Sequence, residues 1–123
     1  MPVGIRYIVH DVEAAIAFYR DLLGFELVMH PAPGFARLRL GAIQLNLNAP
    51  GAGGAGTAGG HPEPGGWNRF QIPTADLDGL VLRLRDGGAV FRGEPVRGMG
   101  GRQALVEDPS GNVVELFEPG AGR

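Results

Sequence analysis

The amino-acid sequence predicts an α+β fold built from two tandem βαβββ modules. Three observations carry this prediction. The order of one strand, one helix and three strands occurs twice along the chain. The two copies register at an offset of 65, where Asp11 matches Asp76, Arg20 matches Arg85 and Asp21 matches Asp86. A Gly/Ala/Pro-rich stretch, Ala49 to Gly66, separates the copies. The modules cover residues 1–48 and 67–119, and the whole of 1–123 is expected to form a single domain, since its length suits one ordinary domain with a modest core.

In the first module, residues 4–9 (GIRYIV) read as a strand. Asp11 then caps a helix whose apolar residues Val12, Ile16, Tyr19, Leu22 and Leu23 follow the 3.6-residue period until Gly24 ends it. Extended segments follow at 25–29, 35–40 and 42–48. In the second module, residues 68–73 (NRFQIP) read as a strand. Asp76 caps a helix carrying Leu77, Leu80, Val81 and Leu84, stopped by Gly87 and Gly88, and segments 89–92, 102–107 and 113–118 supply three further strands. The stretch 49–66 has too little apolar surface to offset its ordering entropy, so it reads as a disordered linker or a lid, with His61 solvated within it.

Composition excludes several kinds of chemistry. The chain has no cysteine, which removes disulfides, thiolate nucleophiles and cysteine metal sites, and all of its 11 basic side chains are arginine, which removes a Schiff-base lysine. The single serine, Ser110, lies in the turn-forming run Asp108-Pro109-Ser110-Gly111. A net charge of -2 without blocks of like charge gives no footprint for nucleic acid or a membrane surface. With no apolar run of ~18 residues and no signal-peptide pattern at the N-terminus, a cytoplasmic protein is expected.

The repeated unit, the segment DVEAAIAFYRDLLGFELV from Asp11 and the closing DPSGNVVELFEP from Asp108 together resemble the vicinal oxygen chelate superfamily of glyoxalases, bleomycin-resistance proteins and extradiol dioxygenases. The resemblance covers nearly the whole chain. It implies that the curved mixed sheets of the two modules, eight strands in all, form a cup, and that in metal-dependent members four strands each give one ligand to a divalent ion. Carried over one position at a time, those ligands fall on Gly4, Arg69, Gln44 and Glu115, of which only Glu115 matches. One carboxylate and one amide do not make a site for such an ion, and Arg69 would repel it. No metal and no cofactor are therefore expected. His10 and His30 follow strands rather than occupying ligand positions, and surface or capping roles are expected for both.

Strand alternation then sorts the side chains. If Gly4 and Arg69 face the cup, so do Arg6, Ile8, Gln44, Asn46, Gln71, Pro73, Val113, Glu115 and Phe117, while Ile5, Tyr7, Val9, Ile43, Leu45, Leu47, Phe70, Ile72, Val114 and Leu116 face the helices. Arg6, Ile8, Gln44, Asn46, Arg69, Gln71, Glu115 and Phe117 are the candidate ligand-binding residues. Their mixture of polar and apolar groups is that of a small-molecule pocket, although a solvated concave face would read the same way. The two arginines suit anionic or oxygen-rich molecules, subject to neutralisation by Glu115. An Arg69–Glu115 ion pair is expected where relatives hold metal. The resemblance and the missing nucleophiles favour a binding protein without turnover, as in drug sequestration. The alternative is a metal-independent isomerase, lyase or modifying enzyme using Glu115 as general base with Arg69 or Arg6 polarising an oxyanion, and a metal-dependent glyoxalase or dioxygenase comes last. A small-molecule partner and a homodimer are expected.

Overall fold

The computed structural model describes residues 2–52 and 59–120, so the centre of the expected linker or lid, 53–58, lies outside the described residues. The chain divides into two compact units. One runs as far as Gly65 and includes Pro109–Gly111, and the other takes Gly66–Asp108 and the chain from Asn112 onward.

The first unit opens with strand β1 (Val3–Ile8). Asp11 then accepts a hydrogen bond from Ala14 N at 3.1 Å through Oδ1, capping helix α1 (Val12–Ala17). The expected single helix to Gly24 instead widens into a π-helical turn over Phe18–Leu22. The wider turn buries Phe18 and Tyr19 side by side, with Tyr19 also in edge contact with Phe25 at 5.5 Å. Gly24, at φ 80°, then redirects the chain into β2 (Glu26–Ala32), followed by β3 (Phe35–Leu40) and β4 (Ile43–Asn48). These strands form one mixed sheet in the order β1-β4-β3-β2, with β1 parallel to β4 and the other pairs antiparallel. Tyr7, Ala36, Leu38, Leu45 and Leu47 are buried, and α1 packs against β3 and β4. Burial of such side chains, each worth on the order of 1.5–3 kcal/mol for the larger ones, holds helix to sheet.

The second unit repeats the plan. Strand β5 (Gln71–Pro73) leads to helix α2 (Leu77–Asp86), where Asp76 Oδ1 accepts from Gly79 N at 3.0 Å and Glu118 Oε1 accepts from Leu77 N at 2.7 Å. Strands β6 (Val90–Phe91), β7 (Val96–Arg97), β8 (Gly101–Glu107) and β9 (Val113–Pro119) complete a five-stranded sheet in the order β5-β9-β8-β6, with β7 also on β8. Leu77, Leu80, Val81 and Leu84 of α2 are buried, as are Ala104, Val106, Val114 and Leu116 of the sheet, and α2 packs on β8 and β9. Three details differ from the sequence reading, the first being that β6 keeps only Val90 and Phe91 of the expected 89–92. β5 is shorter and begins at Gln71, although the Phe70 carbonyl still accepts from Glu115 N of β9 at 3.0 Å. β7 is an additional two-residue strand between Pro95 and Gly98, too short to leave a period in the sequence. The described strands thus number nine rather than eight, in two separate sheets without a closed barrel.

On the helix side of the second sheet, Arg102 holds Asp78 of α2 in a two-point pairing, Nη2 to Oδ1 at 2.8 Å and Nη1 to Oδ2 at 3.1 Å. These hydrogen bonds lower the Asp78 pKa from its usual value, against a smaller opposing effect of desolvation. A carboxyl group depressed on folding adds stability above the ordinary carboxylate range and loses it as the pH falls through the lowered midpoint. In an NMR titration, Asp78 is expected to titrate below the ordinary range and to return to it in Arg102→Gln. An unchanged midpoint in that variant would show that the pairing is not maintained in solution.

Among the described residues, no helix is long and apolar enough to cross a membrane.

Candidate functional site

In each unit the sheet face turned away from the helix carries polar side chains, and strand register decides which of them meet. In the second unit, Gln71 on β5 pairs with Glu115 on β9, which in turn pairs with Leu105 on β8; the next row is Pro73, Phe117 and Gln103. Arg69 precedes β5 rather than lying within it, yet its guanidinium reaches the same face. Its Nε donates to Glu115 Oε1 at 3.0 Å, and its Nη1 donates to the Trp67 carbonyl at 3.2 Å. Gln71 Nε2 donates to the other carboxylate oxygen, Oε2, at 2.7 Å.

The expected ion pair is therefore formed, and the side-chain parity on which it depended holds in this unit. Glu115 keeps only 12% of its side chain exposed and Arg69 28%, so the pair lies between the surface and fully buried cases. Each carboxylate oxygen already has a donor. The carboxylate is fixed in place and its charge is matched.

The same unit has a second such arrangement, which the sequence reading missed. Arg92 Nε donates to Glu107 Oε2 at 2.9 Å, and the guanidinium stacks over the exposed Trp67 ring at 4.5 Å from its centroid. Arg92 and Glu107 sit in strands the sequence had placed, but the pairing of β6 with β8 was needed to bring them together. Trp67 stands alone at the start of the second module without a periodic context.

In the first unit, Arg6 on β1, Asn46 on β4 and Arg37 on β3 form one row of register partners, and Gly4, Gln44 and Arg39 form the next. Arg37 Nε donates to Asn46 Oδ1 at 2.9 Å. A Cβ added at Gly4 would stand 3.3 Å from Asn46 Nδ2 and 3.7 Å from Gln44 Nε2, which places all three residues on one face, with the amides over a glycine notch. Arg39 pairs with Glu26 at 2.7 Å. Asn46 and Asn48 are buried, and Asn48 Oδ1 has no partner among the described residues. Thus Arg6, Ile8, Gln44 and Asn46 share a face in the first unit, and Arg69, Gln71, Glu115 and Phe117 share one in the second. Arg37 was absent from the sequence reading because only pairing to β4 sets it beside Asn46.

The histidines take no part in either face. His10 donates its backbone N–H to the Ser110 hydroxyl at 2.8 Å, His30 Nδ1 lies 3.6 Å from Glu13 Oε2 on the helix side, and His61 is exposed. Among the described residues no three His, Asp or Glu side chains gather as metal donors. At the positions where relatives would place ligands, Gly4 offers no donor and Arg69 holds Glu115. Neither face by itself offers a divalent ion the several oxygen or nitrogen ligands it needs in one shell. An open cleft of about 820 Å³ lies elsewhere in the second unit, past the end of β5, but its Arg102 and Glu118 are already engaged by Asp78 and Leu77 N.

Comparison with known proteins gives a consistent result. The family model of the Glyoxalase/Bleomycin resistance protein/Dioxygenase superfamily matches residues 3–116. An uncharacterized protein of Mycolicibacterium smegmatis is 33% identical over 89% of this chain and 85% of its own length. The lactoylglutathione lyase GLX1 of Arabidopsis thaliana is 31% identical over 93% of this chain, which spans only 42% of that protein. Among solved structures, TnmS3, an antibiotic binding protein from Streptomyces sp. CB03234, superposes with a TM-score of 0.75 at 28% identity, covering 98% of this chain and 96% of that one.

Proposed function

The chain belongs to the Glyoxalase/Bleomycin resistance protein/Dioxygenase superfamily, and on that premise we propose that it binds a small organic molecule on its polar sheet faces without metal and without turnover, in the manner of a drug-sequestering protein. The observation that carries this reading is the state of Glu115. Its two oxygens accept from Arg69 and Gln71, so it presents a fixed hydrogen-bonded surface rather than a free base or a metal ligand. A general base must lie within reach of the proton it takes and be free to receive it. The likeness to an antibiotic binding protein supports the same reading.

On the face of the first unit Arg6, Gln44 and Asn46 supply hydrogen bonds and Ile8 apolar contact, and on the face of the second Gln71 and Phe117 supply the same two kinds of contact beside the Arg69–Glu115 pair. A homodimer is part of the proposal, since symmetric dimers are the usual oligomer; sedimentation at ~100 micromolar, loose for a stable interface, is expected to give a dimer, and a monomer would remove that part.

The test of function is a thermal-shift screen of natural-product antibiotics and small metabolites. A hit is expected to raise the melting temperature of the wild-type protein and to do so less for Gln44→Ala and Gln71→Ala. A shift that survives both substitutions places binding elsewhere. Conversion of the hemithioacetal of methylglyoxal and glutathione, restored by added Ni or Zn, would replace this reading with a metal-dependent glyoxalase.

A further inference from the structure

Charge is balanced differently on the two sheet faces. In the second unit each guanidinium on the face is matched, Arg69 by Glu115 and Arg92 by Glu107. On the sheet face of the first unit only Arg39 is matched, by Glu26. Six of the described arginines form carboxylate pairs, and of the four that do not, Arg6, Arg37, Arg83 and Arg97, two stand in one row of the first sheet with Asn46 between them.

Two strand spacings, about 10 Å between Cα atoms, separate Arg6 from Arg37, a span that two long side chains can close upon one group. Arg37 is held by its Nε–Asn46 bond, so its terminal nitrogens remain as donors in a fixed fork. Asn46, nine-tenths buried, turns its amide Nδ2 toward the notch left by Gly4. The row therefore offers donors from two cations and one amide, with no carboxylate of the described residues to neutralise the cations.

We infer that the Arg6–Asn46–Arg37 row is an anion subsite, and that the ligand of this protein carries a carboxylate, sulfonate or phosphate group that docks there. The inference rests on the binding reading above and narrows it to anionic ligands. It also reassigns the source of anion selectivity: Arg69 is spent on Glu115, and Arg37 takes its place.

The probe pair that tests this is 8-anilinonaphthalene-1-sulfonate and N-phenyl-1-naphthylamine, which share a ring system and differ in the sulfonate, titrated by fluorescence against the full chain. The sulfonate is expected to bind at least about tenfold more tightly than the neutral probe, the effect of one charge-assisted hydrogen bond. Arg6→Gln and Arg37→Gln are each expected to remove about that factor for the sulfonate and leave the neutral probe unchanged, while Arg83→Gln changes neither. Arg37→Lys, which keeps the charge but loses the fork, is expected to fall between wild type and Arg37→Gln and guards against misfolding of the amide variant. Equal affinity for the two probes, or an equal loss in Arg83→Gln, would overturn the subsite while leaving small-molecule binding in place. Failure of both probes to bind would remove both.

Discussion

Arg69→Ala is expected to destabilise the protein by about 2 to 3 kcal/mol, because it leaves the Glu115 carboxylate mostly buried with Gln71 as its remaining partner. The figure lies below the ~3 to 5 kcal/mol of a fully buried pair, since Arg69 retains some solvent contact, and above the ~1 kcal/mol of an exposed one. Urea denaturation measures it. In the background of Glu115→Gln, where no charge remains to be stranded, the same substitution is expected to cost much less, so a double-mutant cycle will show coupling of roughly 1 to 2 kcal/mol. Arg83→Ala, which removes an exposed arginine from α2 without a carboxylate partner, is expected to stay within ~0.5 kcal/mol. A loss below that value for Arg69→Ala would mean that the pair is solvated and does not fix the carboxylate.

Gly101→Ala is expected to cost about 2 to 4 kcal/mol, through strain and overpacking together. Gly101 opens β8 at φ 152°, and a Cβ there would run into the backbone carbonyl of Glu118 on β9. Backbone cannot rotate away as a flexible side chain can. Glu118 also accepts from Leu77 N at the start of α2, so displacing it disturbs the strand pair and the helix terminus together. Gly100→Ala is the control, because its added Cβ would make only an ordinary 3.5 Å contact with Phe117. Equal melting temperatures for the two variants would contradict this account of the β8–β9 edge.

Much of the fold was legible in the sequence because its signals are local. The Asp11 and Asp76 caps, the helical period of Leu77, Leu80, Val81 and Leu84, and the alternation in Ile43–Asn48 each depend on neighbouring residues alone, and each appears as read. The π-helical turn at Phe18–Leu22 was not legible, since a sequence period of 3.6 does not reveal where one residue is accommodated by widening the helix. β7 was too short to show a pattern. For the candidate site, alternation sorted the faces, and the family resemblance, which implies that the strands concerned lie close together, joined Arg69, Gln71 and Glu115. Arg37 beside Asn46 and Arg92 beside Glu107 depended on which strands pair and in what register. Non-local pairing is the information a single sequence carries least openly, and here it decides which arginines remain available to a ligand.

Equilibrium dialysis of the purified protein with the strongest thermal-shift ligand, followed by recovery of that ligand and measurement of its mass, tests the central claim most directly. The account predicts saturable binding that is unchanged by chelator or by added divalent metal, with the ligand recovered at its original mass after prolonged incubation. Conversion of the ligand, or binding that vanishes with chelator and returns with metal, would contradict it.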